Sequence, residues 1–298
     1  MKGVNSRPSG GIMGFPVSDR IPFRPLSVQT MHLQDLYIHP IKSLGGLRVS
    51  EARAEEKGLR LDRRWMLVDE DGRFLTQRAH PAMARLQVTP ESDGLTVHRK
   101  DDPASRIRIP FEPPSHQRFP VVIWSDTVEA QAVDPALDRW FSEALGAACR
   151  LVVMPESTRR PVDPDYAVAG EAVSFADGMP FLLIGQGSLD DLNRRIEARG
   201  GEAVPMNRFR PNLVVSPAEP FAEDGWEKIR IGDCLFRAVK PCARCVVTTV
   251  DQDTGEKGKE PLATLATFRR SGDGVLFGQN LVLLEGGVVR VGDPVEPL

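Results

Sequence analysis

The sequence predicts a β-dominated α+β fold: a β-barrel-like domain, followed by a second domain built on a small β-barrel with flanking helices. Three observations carry that expectation. Short runs rich in β-branched and aromatic residues recur along the chain, among them "LQDLYIHP", "RWMLVDE", "RFLTQR", "GLTVHRK", "RIRIPF" and "FPVVIWSDTVEAQAV". Strands this short and this frequent belong to barrels or sandwiches. Helical spacing is confined to a few stretches, and a segment rich in Pro, Arg and Asp, "VVMPESTRRPVDPDYAVAG", marks a long loop or domain junction.

Taken in order, residues 1–30 mix Gly, Pro, Ser and Arg without an apolar core, which reads as a flexible arm and not as a signal peptide. Their Arg and Ser content matches an organelle transit segment, but the amphipathic spacing of one is missing. Residues 31–150 form the first domain. Within it Asp71-Gly72, in "VDEDGRFLTQ", has the chemistry of a tight hairpin turn. "PALDRWFSEALG" is expected to be a helix, with Asp134 before a proline in the first turn and Gly146 at its end. Residues 151–298 form the second domain. There "PFLLIGQGSLDDLNRRIEARGG" joins an apolar strand to a helix with Ser188 as N-cap and an apolar stripe of Leu189, Leu192 and Ile196. Strands follow at "NLVVSP", "EKIRIGDCLFRAV", "CVVTTVD", "NLVLLEG" and "VVRVGDPVEP". One helix, "PLATLATFRR", interrupts them after Pro261. No internal repeat appears.

The 298 residues are 41% hydrophobic and 27% charged, with a formal net charge of −3. That balance gives no reason to expect nucleic acid or an anionic membrane as partner. No apolar run approaches the roughly 20 residues that span a bilayer. The four cysteines, Cys149, Cys234, Cys242 and Cys245, do not make a disulfide scaffold. A reducing compartment is the better reading, and a cytoplasmic location is expected.

Cys242 and Cys245 form a C-x-x-C flanked by Lys240 and Arg244, with Arg237 nearby and Pro241 stiffening the approach. A structural zinc site needs four ligands. Cys234 is a possible third, yet His32, His39, His80, His98 and His116 all precede Pro120. Cys234 itself follows a Gly-Asp turn and reads as a small hydrophobe starting a strand. A thioredoxin-type pair opens a helix, whereas this pair is expected to open a strand. Buried structural cysteines are the plain alternative. The local cations favour thiolate, the form that binds a soft metal or acts as a nucleophile. A single thiolate without completing protein ligands suggests a metal whose other donors come from an organic cofactor.

"KPCARCVVTTVDQDTGEKGKEPLATLATFRR" followed by "FGQNLVLLEGGVVRVGDPV" resembles the C-terminal half of a MOSC domain. "LYIHPIKSLGGLRVSEARAEEKGLRLDRRWMLVDEDGRFLTQR" resembles the β-barrel domain that precedes it, and "NRFRPNLVV" a central motif. Together they cover nearly the whole chain after Met31. The resemblance is to the group of the mitochondrial amidoxime reducing component and YcbX. It implies molybdenum cofactor, a pyranopterin dithiolene with a phosphate (Mo-molybdopterin), ligated through Cys245, while Cys242 aligns with no ligand. Ala243 and Arg244 fall in the loop that would wrap the cofactor. Lys42, Ser43, Arg63, Arg210 and Asn212 match positions that hold its phosphate. Asp177, Gly178 and Met179 in "FADGMPFLLIG", and Asn280 in "FGQNL", match positions lining the pterin, with only the backbone of Met179 contributing. Without the resemblance these cations would read as solvated, and that reading is kept for Arg64, Arg73 and Arg85. Arg210 differs, because between Phe209 and Pro211 an unpaired charge is costly unless an anion is buried with it.

The function implied is a molybdenum oxidoreductase, independent of pyridoxal phosphate, that reduces N-hydroxylated small molecules such as hydroxylamines, amidoximes or N-hydroxylated bases. The cysteines do not make a plant-type [2Fe–2S] pattern, and no ferredoxin domain is expected after "VGDPVEPL". Electrons are therefore expected from a separate protein, a flavoprotein reductase or a small haem or iron–sulfur carrier. MOSC domains also resemble the end of molybdenum cofactor sulfurases, so a cofactor carrier or sulfur-transfer protein, with Cys245 holding sulfur, is the alternative. A β-rich scaffold with buried cysteines is the third reading.

Overall fold

A computed structural model describes residues 1–4, 30–272 and 274–298. The arm expected over residues 1–30 lies almost wholly outside the described residues. The fold is β-dominated, with three α-helices and nineteen strands among the described residues, and none of the helices is long and apolar enough to cross a membrane.

The largest sheet has nine strands. Eight run in the order Val295–Pro297, Lys228–Ile231, Cys234–Ala243, Gly274–Glu285, Phe181–Gly185, Leu213–Ser216, His32–Ile38 and Leu47–Val49, while Arg270–Ser271 pairs alongside Gly274–Glu285. Strands His32–Ile38 and Leu47–Val49, early in the chain, are thus woven into the sheet of the second half. Phe181–Gly185 is buried at every position, as expected of a central strand covered on both faces. It runs parallel to Leu213–Ser216, and parallel neighbours need a crossover. Helix Gln186–Ala198 supplies it, burying Leu189, Leu192 and Ile196. A four-stranded sheet (Trp65–Val68, Arg150–Val153, Asp126–Ala132, Arg118–Ile123) and a three-stranded meander (Leu86–Pro90, Gly94–Arg99, Arg106–Pro110) build the first half. Part of them closes on a core around Trp65, Phe141 and Leu151.

Helix Pro135–Leu145 begins and ends where its sequence says. Asp134 Oδ1 accepts the Ala136 N–H at 2.7 Å, and Gly146 closes the helix at φ 64°. Other expectations need correction. "RFLTQR" is no strand: past the Asp71-Gly72 turn only isolated bridges at Arg73 and Phe74 continue the pairing. Ser188 is not an N-cap, because its helix starts at Gln186 straight from the strand. Its hydroxyl is instead buried against both Glu223 carboxylate oxygens at 2.8 Å. "PLATLATFRR" forms only the short helix Leu262–Leu265. Arg64 is not solvated, since it is 8% exposed and pairs with Glu156.

Candidate cofactor-binding site

Three adjacent strands bring their ends to one place. Asp177–Met179 lead into Phe181–Gly185, Arg210–Asn212 lead into its parallel neighbour, and Lys42–Ser43 follow the antiparallel His32–Ile38. Asn280 joins them from the sheet, between Lys240 and Leu182. One open cleft gathers all twelve candidates: Lys42, Ser43, Arg63, Asp177, Gly178, Met179, Arg210, Asn212, Ala243, Arg244, Cys245 and Asn280. Of the seven described non-glycine residues at positive φ, Ser43, Arg63 and Arg210 line this cleft. Backbone held in that region costs about 1–3 kcal/mol per residue and gathers at functional sites.

Charge is unevenly balanced here. The Lys42 ammonium, nearly fully buried, donates to the Phe175 carbonyl at 2.8 Å and to Asp177 Oδ1 at 2.5 Å. Burial pushes the Lys42 pKa down, with Asp177 opposing that shift. The crowded setting of Asp177 would by itself raise its carboxyl, but Lys42 overrides this and holds it well below the usual carboxylate range. The carboxylate is two-thirds exposed into the cleft, hemmed by protein yet wet, so the charged form is the one present at neutral pH. Asp62, fully buried, accepts Arg63 Nη1 at 2.6 Å and the His39 N–H at 2.7 Å. Arg63 Nη2 reaches the Arg210 carbonyl at 3.1 Å. Asn212 locks two strands: its Oδ1 accepts the Leu182 N–H at 3.2 Å and its Nδ2 donates to the Tyr37 carbonyl.

Arg210 and Arg244 have no carboxylate partner among the described residues. Arg210 is 9% exposed, gives Nη1 to the Leu44 carbonyl at 2.7 Å, and leaves Nη2 buried without a partner. Burial and the neighbouring Arg63 push its pKa down to about 9, so it remains a cation at neutral pH. Arg244 gives Nη2 to the Phe209 carbonyl at 2.6 Å and Nη1 to Cys242 Sγ at 2.8 Å, and its Nε is orphaned. Buried donors without acceptors are uncommon and costly. An anion in the cleft would satisfy them. A Cβ at Gly178 would meet nothing within 4 Å, so packing does not require glycine at this point of the cleft.

Burial separates the cysteines. Cys234 and Cys149 are buried, and desolvation raises both thiols, Cys234 to about 11. Cys242 and Cys245 are half-buried and both line the cleft. The expected strand after Cys245 is not formed: Cys234–Ala243 ends first, and Val246–Thr249 is a 3-10 turn. Thr248 Oγ1 donates to the Cys245 carbonyl at 3.0 Å and Thr249 Oγ1 to the Val246 carbonyl at 2.8 Å. Such local hydroxyl bonds compete with sheet pairing, and this curl turns Cys245 toward the cleft. No group of three His, Cys, Asp or Glu side chains among the described residues is placed to hold a metal. A metal at Cys245 would need donors from outside the chain. A half-buried soft sulfur beside unpaired guanidinium donors fits a metal carried by an anionic organic group.

Three contributors were not singled out from the sequence. Arg78 Nη2 donates to Cys245 Sγ at 3.2 Å, from a loop 167 residues earlier and without any local signal. Asp62 neighbours Arg63 but reads as an ordinary surface acid. His39, 2% exposed, bonds the Pro211 carbonyl through Nε2 at 3.1 Å. A Cβ at Gly46 would collide with its ring. Burial first, then Arg210 and Arg63, lower the His39 pKa well below its ordinary 6.5. Below that pH the unfolded chain takes up a proton that the folded one refuses, so stability falls by about 1.4 kcal/mol per pH unit. Cofactor-free protein is expected to lose stability in this way in urea unfolding as pH drops below 6.5. His39→Gln, which keeps a donor toward Pro211, should lack this pH dependence. An identical slope in both proteins would contradict the assignment.

Residues 30–148 match the MOSC N-terminal beta barrel domain and residues 170–296 the MOSC domain. Mitochondrial amidoxime-reducing component 1 of Homo sapiens is 33% identical over 293 residues, covering 91% of this chain and 84% of that protein. Its Mus musculus counterpart is 37% identical over 286 residues, covering 87% and 80%. A molybdenum cofactor sulfurase of Oryza sativa is 33% identical over 270 residues, covering 85% of this chain but only 32% of that protein. The chain belongs to the MOSC family, in the group that joins an N-terminal MOSC β-barrel to a MOSC domain and includes the mitochondrial amidoxime-reducing components.

Proposed function

We propose that the cleft holds molybdenum cofactor, with Cys245 as the protein's ligand to the metal, and that the protein reduces N-hydroxylated small molecules with electrons from a separate carrier protein. The observation that carries this reading is the meeting, in one cleft, of the half-buried Cys245 thiol with the unpaired cations Arg210 and Arg244. The overall conversion is R–NHOH + 2 e⁻ + 2 H⁺ → R–NH₂ + H₂O. Held by Cys245, Arg210 and Arg244, the cofactor would supply redox chemistry toward an N–O bond, which no side chain performs unaided.

The chain's own residues bind and orient. Lys42, Ser43, Arg63, Arg210 and Asn212 would grip the phosphate through charge-assisted donors. Ala243–Arg244, Asp177–Met179 and Asn280 would flank the pterin, Met179 through its backbone, because its side chain is buried in the core. Asp177 is unsuited to be the proton donor at neutral pH, since Lys42 keeps it ionised. Its role is to fix the Lys42 ammonium, and the two protons would arrive from water at the open side of the cleft.

Protein made in a cofactor-competent host is expected to carry close to one molybdenum per chain and to reduce amidoximes when supplied with a reduced dye. Sulfur transfer without metal would support the carrier or sulfur-transfer reading instead. Absence of molybdenum under every expression condition would contradict both the cofactor and the activity.

A further inference from the structure

We propose, on the basis of the N-reductase reading above, that Arg78 is the substrate-orienting residue of this site and holds the N–O oxygen of an amidoxime or N-hydroxylated base beside the Cys245 sulfur. The loop that carries Arg78 is pinned on both sides. Gln77, fully buried, donates to the Ser43 carbonyl at 2.7 Å and exchanges bonds with Gln252, while Lys257 Nζ holds the Arg78 carbonyl at 2.7 Å.

The side chain is fixed as firmly. Its guanidinium lies 4.3 Å from the centroid of the Trp124 ring, and Trp124 packs edge-on against Phe74 at 4.9 Å. Trp124 is 45% exposed and sits at φ 55° in the turn between strands Arg118–Ile123 and Asp126–Ala132, a strained position for a large side chain. Holding the guanidinium is a function that accounts for it.

Arg78 pairs with no carboxylate among the described residues. One side-on edge of a guanidinium presents two parallel N–H groups, from Nη2 and Nε, suited to two adjacent acceptors. Here Nη2 is on the Cys245 sulfur, and Nε is buried with no partner. An acceptor lying next to the sulfur would complete the pair. A substrate N–O oxygen is such an acceptor, carries partial negative charge, and must come close to the metal ligand to react. The amine or amidine product lacks that oxygen, so the contact favours substrate over product. A purely structural tie between the two halves of the chain would not discriminate between them.

The test is equilibrium binding to holoprotein kept oxidised, without an electron donor, so that nothing turns over. Benzamidoxime is compared with benzamidine, which has the same body without the oxygen but is a cation at neutral pH. Arg78→Lys, which keeps the positive charge, therefore separates a lost hydrogen bond from lost charge repulsion. In Arg78→Met the preference for benzamidoxime, measured on the molybdenum-loaded fraction, is expected to fall about tenfold or more, the scale of a lost charged hydrogen bond. Arg78→Lys keeps the charge but not the parallel donors, and a large part of the same loss is expected. If Arg78→Met proves unstable, Arg78→Lys decides. An unchanged preference in the molybdenum-loaded fraction of a variant overturns the role of Arg78. Failure of the wild-type holoprotein to bind or reduce benzamidoxime overturns the N-reductase reading, and this proposal with it.

Discussion

Cys245→Ala protein is expected to fold normally, lose N-reduction to background and release its molybdenum on dialysis, whereas Cys242→Ala keeps both activity and metal. The two thiols are three residues apart and line the same cleft, so proximity does not distinguish them. Their partners do. Cys242 Sγ accepts from Arg244 Nη1, a cation that also holds the Phe209 carbonyl. Removing that sulfur costs Arg244 one of its acceptors, about 1 kcal/mol or a factor of about five. Cys245 sits beyond the end of strand Cys234–Ala243, at the start of the 3-10 turn, with Arg78 as donor to its sulfur. Cys234 and Cys149 are buried elsewhere, and the Cys242 sulfur is already held by Arg244. Activity with a reduced dye and metal analysis on both variants check this. Comparable losses in both would show that the ligand is misassigned.

Arg210→Met is expected to act in opposite directions on cofactor-free and cofactor-loaded protein. Without the cofactor, Arg210 is a buried cation with no carboxylate partner and one orphaned nitrogen. Replacing such a charge with an apolar side chain of similar length is neutral or stabilising by about 1–2 kcal/mol. The Leu44 carbonyl loses a donor, which offsets part of the gain. Methionine meets the same backbone penalty at φ 53° as arginine does. With the cofactor, the lost charged hydrogen bond of about 1.5–3 kcal/mol weakens retention about 10- to 100-fold. Urea unfolding of the cofactor-free form and molybdenum content after dialysis measure the two effects. Destabilisation of the cofactor-free form together with unchanged retention would remove Arg210 from the site and make it structural.

Local rules made much of this legible in the sequence. Helix Pro135–Leu145 carries its start in Asp134-Pro135 and its stop in Gly146. Phe181–Gly185 is continuously apolar because it is covered on both faces. The candidate site positions came from the resemblance to the MOSC family and not from local rules, and one cleft lines up with them. What was misread depended on partners distant in sequence. Ser188 looks like a cap, but Glu223, 35 residues later, takes its hydroxyl. "CVVTTV" has strand propensity at nearly every residue, yet two threonine hydroxyls bonding back to the main chain curl it into a turn. Arg64 looks solvated until Glu156 covers it. Arg78 has no periodicity, cap or motif of its own, and only the closure of residues 74–81 over the second half of the chain brings it to Cys245.

Molybdenum K-edge X-ray absorption on holoprotein measures most directly whether Cys245 sulfur is bound to metal. Wild-type protein should show one more sulfur in the metal's coordination shell than Cys245→Ser protein reconstituted with the same cofactor, with Cys242→Ala indistinguishable from wild type. An equal sulfur count in wild type and Cys245→Ser would contradict ligation by Cys245 and the function built on it.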